Sequence, residues 1–180
     1  MNKGRDWYIT VKVLIIIAIF VGMYLYRITG NIKIAVIAAL AVFIVKPAFR
    51  KVKRQIKKRR YIKSPLSKVD RMEGHEFEEY LQAHFQRLGY RCKLVGAHGH
   101  DYGVDLIVKK DGISTAVQAK RYDGLVGIKA VQEIVSGRAY YDCDKAMVVT
   151  NSMFTKPAWE LAAKCEVELI DRSKLTKMLK

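Results

Sequence analysis

The chain has 180 residues, which leaves room for one soluble domain of roughly 110–120 residues plus a targeting or membrane segment. Its three cysteines, Cys92, Cys143 and Cys165, are odd in number, widely separated and without zinc-ligand spacing. This argues against a disulfide framework and fits reduced thiols in the cytosol. The formal net charge of +16 points to nucleic acid or an anionic membrane, but its distribution matters more. Residues 46–63 carry 10 Lys/Arg and no acid, whereas 64–180 carry 18 Lys/Arg against 16 Asp/Glu, so the globular part is close to neutral.

Two apolar runs open the chain. Residues 13–26 and 34–45 are uncharged, and the link Arg27-Ile28-Thr29-Gly30-Asn31 carries a Gly-Asn turn signal. Each run alone falls short of the roughly 20 residues a spanning helix needs. Adding Trp7 and Tyr8 to the first, and 31–49 to the second, brings both near that length. Trp7, Tyr8, Tyr24 and Tyr26 then stand where interfacial aromatics are expected. The expectation is two transmembrane helices over 1–45, a two-pass hairpin with both termini and the following domain held cytoplasmic by the basic block after Val45. A hairpin that dips into the bilayer without crossing is the competing reading. A cleavable signal peptide finds no small-residue cleavage site after the first run.

Residues 46–66 read as a basic juxtamembrane linker, with Phe49, Val52 and Ile56 at helical spacing among the cations. Such a segment can lie on anionic lipid, each basic residue near the surface contributing about 1 kcal/mol. It can also hold DNA phosphates without sequence preference.

The stretch 67–180 has the pattern of a globular domain. Within 73–88, Phe77, Tyr80, Leu81, His84, Phe85 and Leu88 recur at three and four, giving one apolar helix face closed by Gly89. Residues 90–95 alternate as a strand, 96–103 form a loop rich in Gly and His, and strands over 104–109 and 113–120 flank Lys110-Asp111-Gly112. A helix is expected over 128–141 with Ile128, Val131, Ile134 and Val135 inward. A core strand over 145–150, a helix over 155–164 and a short strand over 167–170 follow. The order α-β-β-β-α-β-α-β argues for an α/β sandwich around a small sheet.

The chemistry concentrates in the hairpin. If Asp111-Gly112 is a two-residue turn, Lys110 opposes Ile113 and Asp105 lies across from Gln118. Alternation then puts Asp105, Gln118 and Lys120 on one face and Ile113, Thr115, Val117 and Ala119 on the other. A carboxylate and an amide carbonyl are hard oxygen donors suited to Mg²⁺. A lysine beside them can orient or deprotonate a water and offset phosphate charge. Phosphodiester hydrolysis fits these parts, although a strand end with a solvated polar edge has the same spacing.

Five longer words narrow the choice: GHEFEEYLQAHFQRLGY (74–90), HDYGVDLIV (100–108), VQAKRY (117–122), AMVVTNSMFTKPAWELA (146–162) and VELIDRSKL (167–175). In these words residues 72–179 resemble the Mrr-like restriction endonuclease domain of the PD-(D/E)XK superfamily. The resemblance implies an α/β fold with the α-β-β-β-α-β core, DNA as substrate, and a divalent metal, Mg²⁺ or another such as Mn²⁺. It implies Asp105 as the metal-binding carboxylate, Gln118 as the next ligand in place of the superfamily's second acid, the carbonyl of Ala119 as a further ligand, and Lys120 as the catalytic lysine. The family's first-helix glutamate falls on Glu76-Phe77-Glu78, and helical phase favours Glu78 because it lies nearer the apolar face. Arg121, Tyr122 and Asn151 are candidate substrate contacts. In the D-x-G-x-D word, Gly103 lets the chain turn and Asp101 braces the loop beside His98 and His100.

The reading is a membrane-anchored, metal-dependent DNA endonuclease with a role in restriction of foreign DNA, in contact with anionic lipid through the basic linker. A homodimer is expected if both strands are cut. The alternatives are a tethered DNA-binding or repair module with little cleavage, and a structural membrane protein whose basic linker organises lipid.

Overall fold

The computed structural model describes residues 3–64, 66–95 and 102–179, with only the backbone described at 3–11, 14, 42–48, 50, 66 and 67. The chain divides into two compact units, Met1–Lys57 and Lys58–Lys180.

In the first unit, helix α1 (Lys3–Thr29) is followed by α2 (Ile32–Ile62), which runs on past the unit boundary. Gly30 takes φ 63° and donates its N–H to the Tyr26 carbonyl at 2.8 Å, ending α1. Asn31 then starts α2 by accepting the Lys33 N–H on Oδ1 at 3.0 Å. Small residues let the helices approach: Ala18 and Ala35 are buried, and a Cβ on Gly22 would lie 3.4 Å from the Ala35 carbonyl oxygen. Ile16, Ile19, Phe20, Ile37 and Leu40 remain exposed.

The expected pair of transmembrane helices is corrected here, because among the described residues no helix is long and apolar enough to cross a membrane. The uncharged run between Lys12 and Arg27 is 14 residues. That is about 21 Å of helix, against a hydrocarbon core of about 30 Å. The run between Lys33 and Lys46 is 12 residues and shorter still. The basic stretch that follows is helical, since α2 continues through it to Ile62 with Phe49, Val52 and Ile56 exposed.

The second unit begins with the end of α2, whose Tyr61 joins its core, and a short helix α3 (Leu66–Val69), and the expected order then appears in full. It comprises α4 (Gly74–Arg87), β1 (Arg91–Leu94), β2 (Leu106–Lys110), β3 (Ile113–Lys120), α5 (Ile128–Tyr140), β4 (Lys145–Thr150), α6 (Lys156–Lys164) and β5 (Val167–Ile170). A further helix, α7 (Arg172–Met178), closes the unit. Periodicity could not show α7, because Leu175 is its one buried residue and its start rests on Asp171 Oδ1 accepting the Lys174 N–H.

The strands form one sheet in chain order, antiparallel from β1 to β3 and parallel from β3 to β5. Asp111 (φ 51°) and Gly112 (φ 85°) are both left-handed, as a type I′ hairpin requires. They set the expected register, Lys110 opposite Ile113 and Leu106 opposite Val117. One sheet face packs Leu106, Val108 and Val117 against Phe77, Tyr80, Leu81 and Phe85 of α4. The other packs Ala116, Ala146 and Val148 against α5 and α6 through Val131, Ile134 and Ala158. The buried face of α5 is Ala130, Val131, Ile134 and Gly137, rotated from the expected one so that Ile128 is exposed. The small residues Ala130 and Gly137 permit this close packing.

Candidate active site

The α5 side of β3 carries Ala116, Gln118 and Lys120, because alternate residues share a face. The β2–β3 ladder ends at Leu106–Val117, and Asp105 lies one residue beyond it. Its N–H donates to the Val117 carbonyl at 2.9 Å, and its Oδ2 accepts the Ala119 N–H at 2.7 Å. The carboxylate thus takes the place of the next backbone acceptor, and this fixes where Asp105 sits against β3.

Asp105, Gln118, Lys120 and Glu133 share a cleft of about 440 Å³ with Tyr102, Gly103 and Ser136. The three hairpin residues expected to converge do so. Glu133, from α5, was not anticipated. Its Oε2 accepts from Gln118 Nε2 at 2.8 Å and from Lys120 Nζ at 3.0 Å, and Lys129 Nζ lies 3.8 Å from its Oε1. Burial works to raise the Glu133 pKa, but hydrogen bonds from Lys120 and Gln118 and the charges of Lys120 and Lys129 outweigh it, and the net shift is downward. A signal for this residue did exist. Glu133 is the one acid of α5, with Ala130 three before it and Gly137 four after it. These small neighbours mark the helix flank that the chain approaches most closely. A Cβ on Gly103 would lie 2.7 Å from Glu133 Cβ, and one on Gly137 would collide with Val104.

An ionised carboxylate only accepts hydrogen bonds, so the Gln118 amide must turn its nitrogen toward Glu133. Its Oε1 is left buried with no hydrogen-bond partner, on a side chain 2% exposed. Such an oxygen is costly to bury alone and is the natural donor for a cation. Among the described residues no group of three or more His, Cys, Asp or Glu is arranged to hold a metal. The groups here that could hold a hard cation are the Asp105 carboxylate and the carbonyl oxygens of Gln118 and Ala119. Ala119 suits this because the N–H and C=O of one strand residue point to the same side, and its N–H already points to Asp105.

The remaining candidates do not line this cleft. Glu76 accepts the Glu73 N–H at 3.2 Å and closes the N-terminus of α4. Glu78 is half-buried on α4, which covers the opposite sheet face, and it is not among the described residues that line the cleft. Arg121 bonds the Asp70 carbonyl at 3.0 Å and Asp123 at 2.9 Å. Asn151 is buried, accepting the Tyr122 N–H at 2.8 Å and donating to Asp70 Oδ1 at 3.0 Å. Arg172 grips the same Asp70 carboxylate with both nitrogens, at 2.7 and 2.8 Å. Arg121 and Asn151 thus brace the ends of β3 and β4, while the exposed Tyr122 lines an adjoining cleft with Lys120, Lys129 and Glu133. His98, His100 and Asp101 lie outside the described residues.

Residues 69–179 match the restriction endonuclease family Mrr_cat. The chain belongs to that family. The α/β domain with its mixed five-stranded sheet is therefore a restriction endonuclease-like nuclease domain. Among proteins of curated function, none matches the chain. Of solved structures, a protein of unknown function, AF1548, is similar at 14% identity and TM-score 0.46, over 52% of this chain and 55% of that one. The DNA modification-dependent restriction endonuclease AspBHI is similar at 18% and 0.43, over 72% of this chain and 34% of that one. The restriction endonuclease MspJI, solved with a 27-mer oligonucleotide, is similar at 15% and 0.39, over 78% of this chain and 31% of that one. The chain thus spans about half the length of the first and a third of the other two, and the assignment rests on the family match.

Proposed function

We propose that the chain is a divalent-metal-dependent DNA endonuclease. The observation that carries this reading is the buried, unpartnered carbonyl oxygen of Gln118 in the same cleft as Asp105 and Lys120. Asp105, Gln118 and the Ala119 carbonyl would hold the metal, with Mg²⁺ the natural occupant of an all-oxygen site and Mn²⁺ an alternative. A metal held there would supply Lewis-acid polarisation of the phosphate and the acidity that water needs to act as nucleophile. Water attacks phosphorus in line and the bond to the 3′-oxygen breaks, leaving 5′-phosphate and 3′-hydroxyl ends. Lys120, held at 3.0 Å by Glu133, places a positive charge against the phosphate. Glu133 keeps the Gln118 amide and the Lys120 ammonium in register.

Plasmid cleavage by the full chain with Mg²⁺ or Mn²⁺ tests this. Cutting that stops with EDTA and in Lys120→Ala or Asp105→Asn is expected. Failure of the folded protein to cut supercoiled, linear, methylated or branched DNA would put a non-cleaving DNA-binding or repair module in its place. Restriction of foreign DNA is the role assigned, with a homodimer supplying one site per strand. Light scattering with and without duplex DNA checks the homodimer.

Anionic lipid is the further partner we assign. Phe49, Val52 and Ile56 are exposed on one stripe of the C-terminal half of α2, where most of the other residues of 46–60 are cationic, the composition of a helix segment that lies in a membrane interface. The domain then sits on the cytoplasmic side of the cell membrane, held at its surface. Flotation with phosphatidylserine vesicles, lost in phosphatidylcholine or at high salt, is the expected result.

A further inference from the structure

One feature at the cleft is not used by the hydrolytic chemistry. Tyr102 lines the cleft, and its ring stacks on Tyr140 with centroids 3.9 Å apart and planes inclined by 25°. Both rings are large and apolar, yet Tyr102 is 50% and Tyr140 58% exposed. Tyr102 also has φ 49°, a left-handed conformation that a bulky residue adopts only when its surroundings impose it. The surroundings here are α5 itself. Gly137 lacks the Cβ that would collide with the Tyr102 carbonyl oxygen and Val104, so the backbone of 102–104 is pressed onto the helix. Ser136 lines the cleft beside Tyr102, and Tyr140 is one turn further along the same helix. Tyr140 is in turn held edge-on by Tyr141, at 4.9 Å between centroids.

We infer that the Tyr102–Tyr140 stack is a base-holding platform, on which an unpaired nucleobase of the DNA substrate rests while the neighbouring phosphate occupies the cleft. This deepens the nuclease reading and rests on it. Each ring has one face covered by the other and keeps an open surface of the size and polarity that a base stacks on. A paired base in a continuous duplex has both faces covered by its neighbours and gains nothing from such a platform. The platform therefore favours DNA in which the base beside the scissile phosphate is unpaired, such as a single strand, a bulge or a junction, and adds nothing to the cutting of a continuous duplex. A cation shares the same cleft, since Lys120 lines it together with Tyr102. It lets backbone phosphate and base be held together.

The test is binding by the full chain in EDTA, read by fluorescence anisotropy, so that it does not depend on cleavage. The probes are an oligothymidylate single strand, a bulged duplex and a perfect duplex. Tyr140→Ala removes an exposed ring without touching the strained backbone, and Tyr102→Phe keeps a stacking face. Tyr140→Ala is expected to weaken single-strand and bulge binding about 10-fold and leave perfect-duplex binding unchanged, while Tyr102→Phe binds like the parent. Equal weakening on all three probes, or none on any, overturns the platform. So does loss in Tyr102→Phe, which would mean that the hydroxyl is what matters. Plasmid cutting by the parent and its absence in Lys120→Ala are scored separately. A failed platform with intact cutting leaves the nuclease reading standing, and selective binding without cutting does the reverse.

Discussion

Gln118 donates its side-chain amide to Glu133 at 2.8 Å, and in doing so turns its carbonyl oxygen away from that carboxylate, where it has no partner. The same Glu133 oxygen receives Lys120 at 3.0 Å. One carboxylate of α5 thus sets both the putting-forward of an oxygen donor and the position of a cation. Substituting Glu133→Gln removes the charge that orders these two groups while preserving shape. Plasmid nicking should fall by about 10–100-fold, in the range seen when a partner that orients a metal ligand is lost. The Mg²⁺ concentration for half-maximal activity should rise as well, which a purely structural role would not cause. A titration of activity against Mg²⁺ checks both.

Gly137→Ala tests whether the close approach of 102–104 to α5 builds the cleft. The new methyl would collide with Val104 and the Tyr102 carbonyl oxygen. Neither is the free end of a long side chain, so the loop must move. A loss of about 1–3 kcal/mol is expected, typical of overpacking, together with reduced cutting because Asp105 follows directly. Urea denaturation and plasmid nicking on the same preparation measure the two effects. Unchanged activity with lowered stability would detach the loop from the site.

His84 predicts a pH dependence of stability. It is 1% exposed on α4, with its ring 4.5 Å from Tyr80. Burial, with some help from Arg87, pushes its pKa down to about 4. Below the unfolded value of 6.5, the unfolded chain takes up a proton that the native state refuses, so stability falls as pH drops from 6.5 toward 4. Between pH 7.5 and 5 this single group accounts for about 2 kcal/mol. In His84→Leu the part of the acid sensitivity belonging to this residue should vanish. Urea midpoints at the two pH values decide it.

Asp70 works in a lower window. The bidentate hydrogen bonds of Arg172 hold its carboxyl down at about 2, against the desolvation that opposes them, and Asn151 and Arg121 add to the lowering. A depressed carboxylate stabilises the fold above its unfolded value of 3.8, and this contribution is lost as pH falls toward 2. The Asp70 side chain is 37% exposed, so solvent screening reduces the effect. Asp70→Ala should cost about 1–2 kcal/mol at neutral pH, less than a fully buried pair would. Because Asn151 links Asp70 to the Tyr122 backbone just past Lys120, some activity should be lost too. Thermal melting at pH 7 and 3 checks the stability, with the difference between variant and parent shrinking at the lower pH.

Much of the domain was legible before any coordinates. The alternation in 113–120 and the Asp111-Gly112 turn determine the hairpin register, because a one-residue slip would send Val117 to the polar face and Gln118 to the core beneath α4. The same local rules account for α4, whose buried Phe77, Tyr80, Leu81, His84 and Phe85 recur at helical spacing, and for β4, whose centre 146–149 is uniformly apolar. They could not account for α7, which buries a single side chain. For the N-terminal runs, the expectation of two spanning helices came from extending each run past Lys12, Lys33 and Lys46, and no described helix is long and apolar enough to cross.

By itself, then, the sequence determined which side chains β3 would present on one face, since a strand's period is a covalent property of its backbone. What only the tertiary structure decided is what those side chains meet. Glu133 lies 13 residues from Lys120 and 15 from Gln118, on an element whose rotation depends on where Ala130 and Gly137 allow the sheet and the 102–104 segment to approach. Asp105 likewise leaves the ladder and spends its carboxylate on the Ala119 N–H. Both are outcomes of close packing between elements, where a missing methyl group sets the geometry, and no local periodicity encodes them.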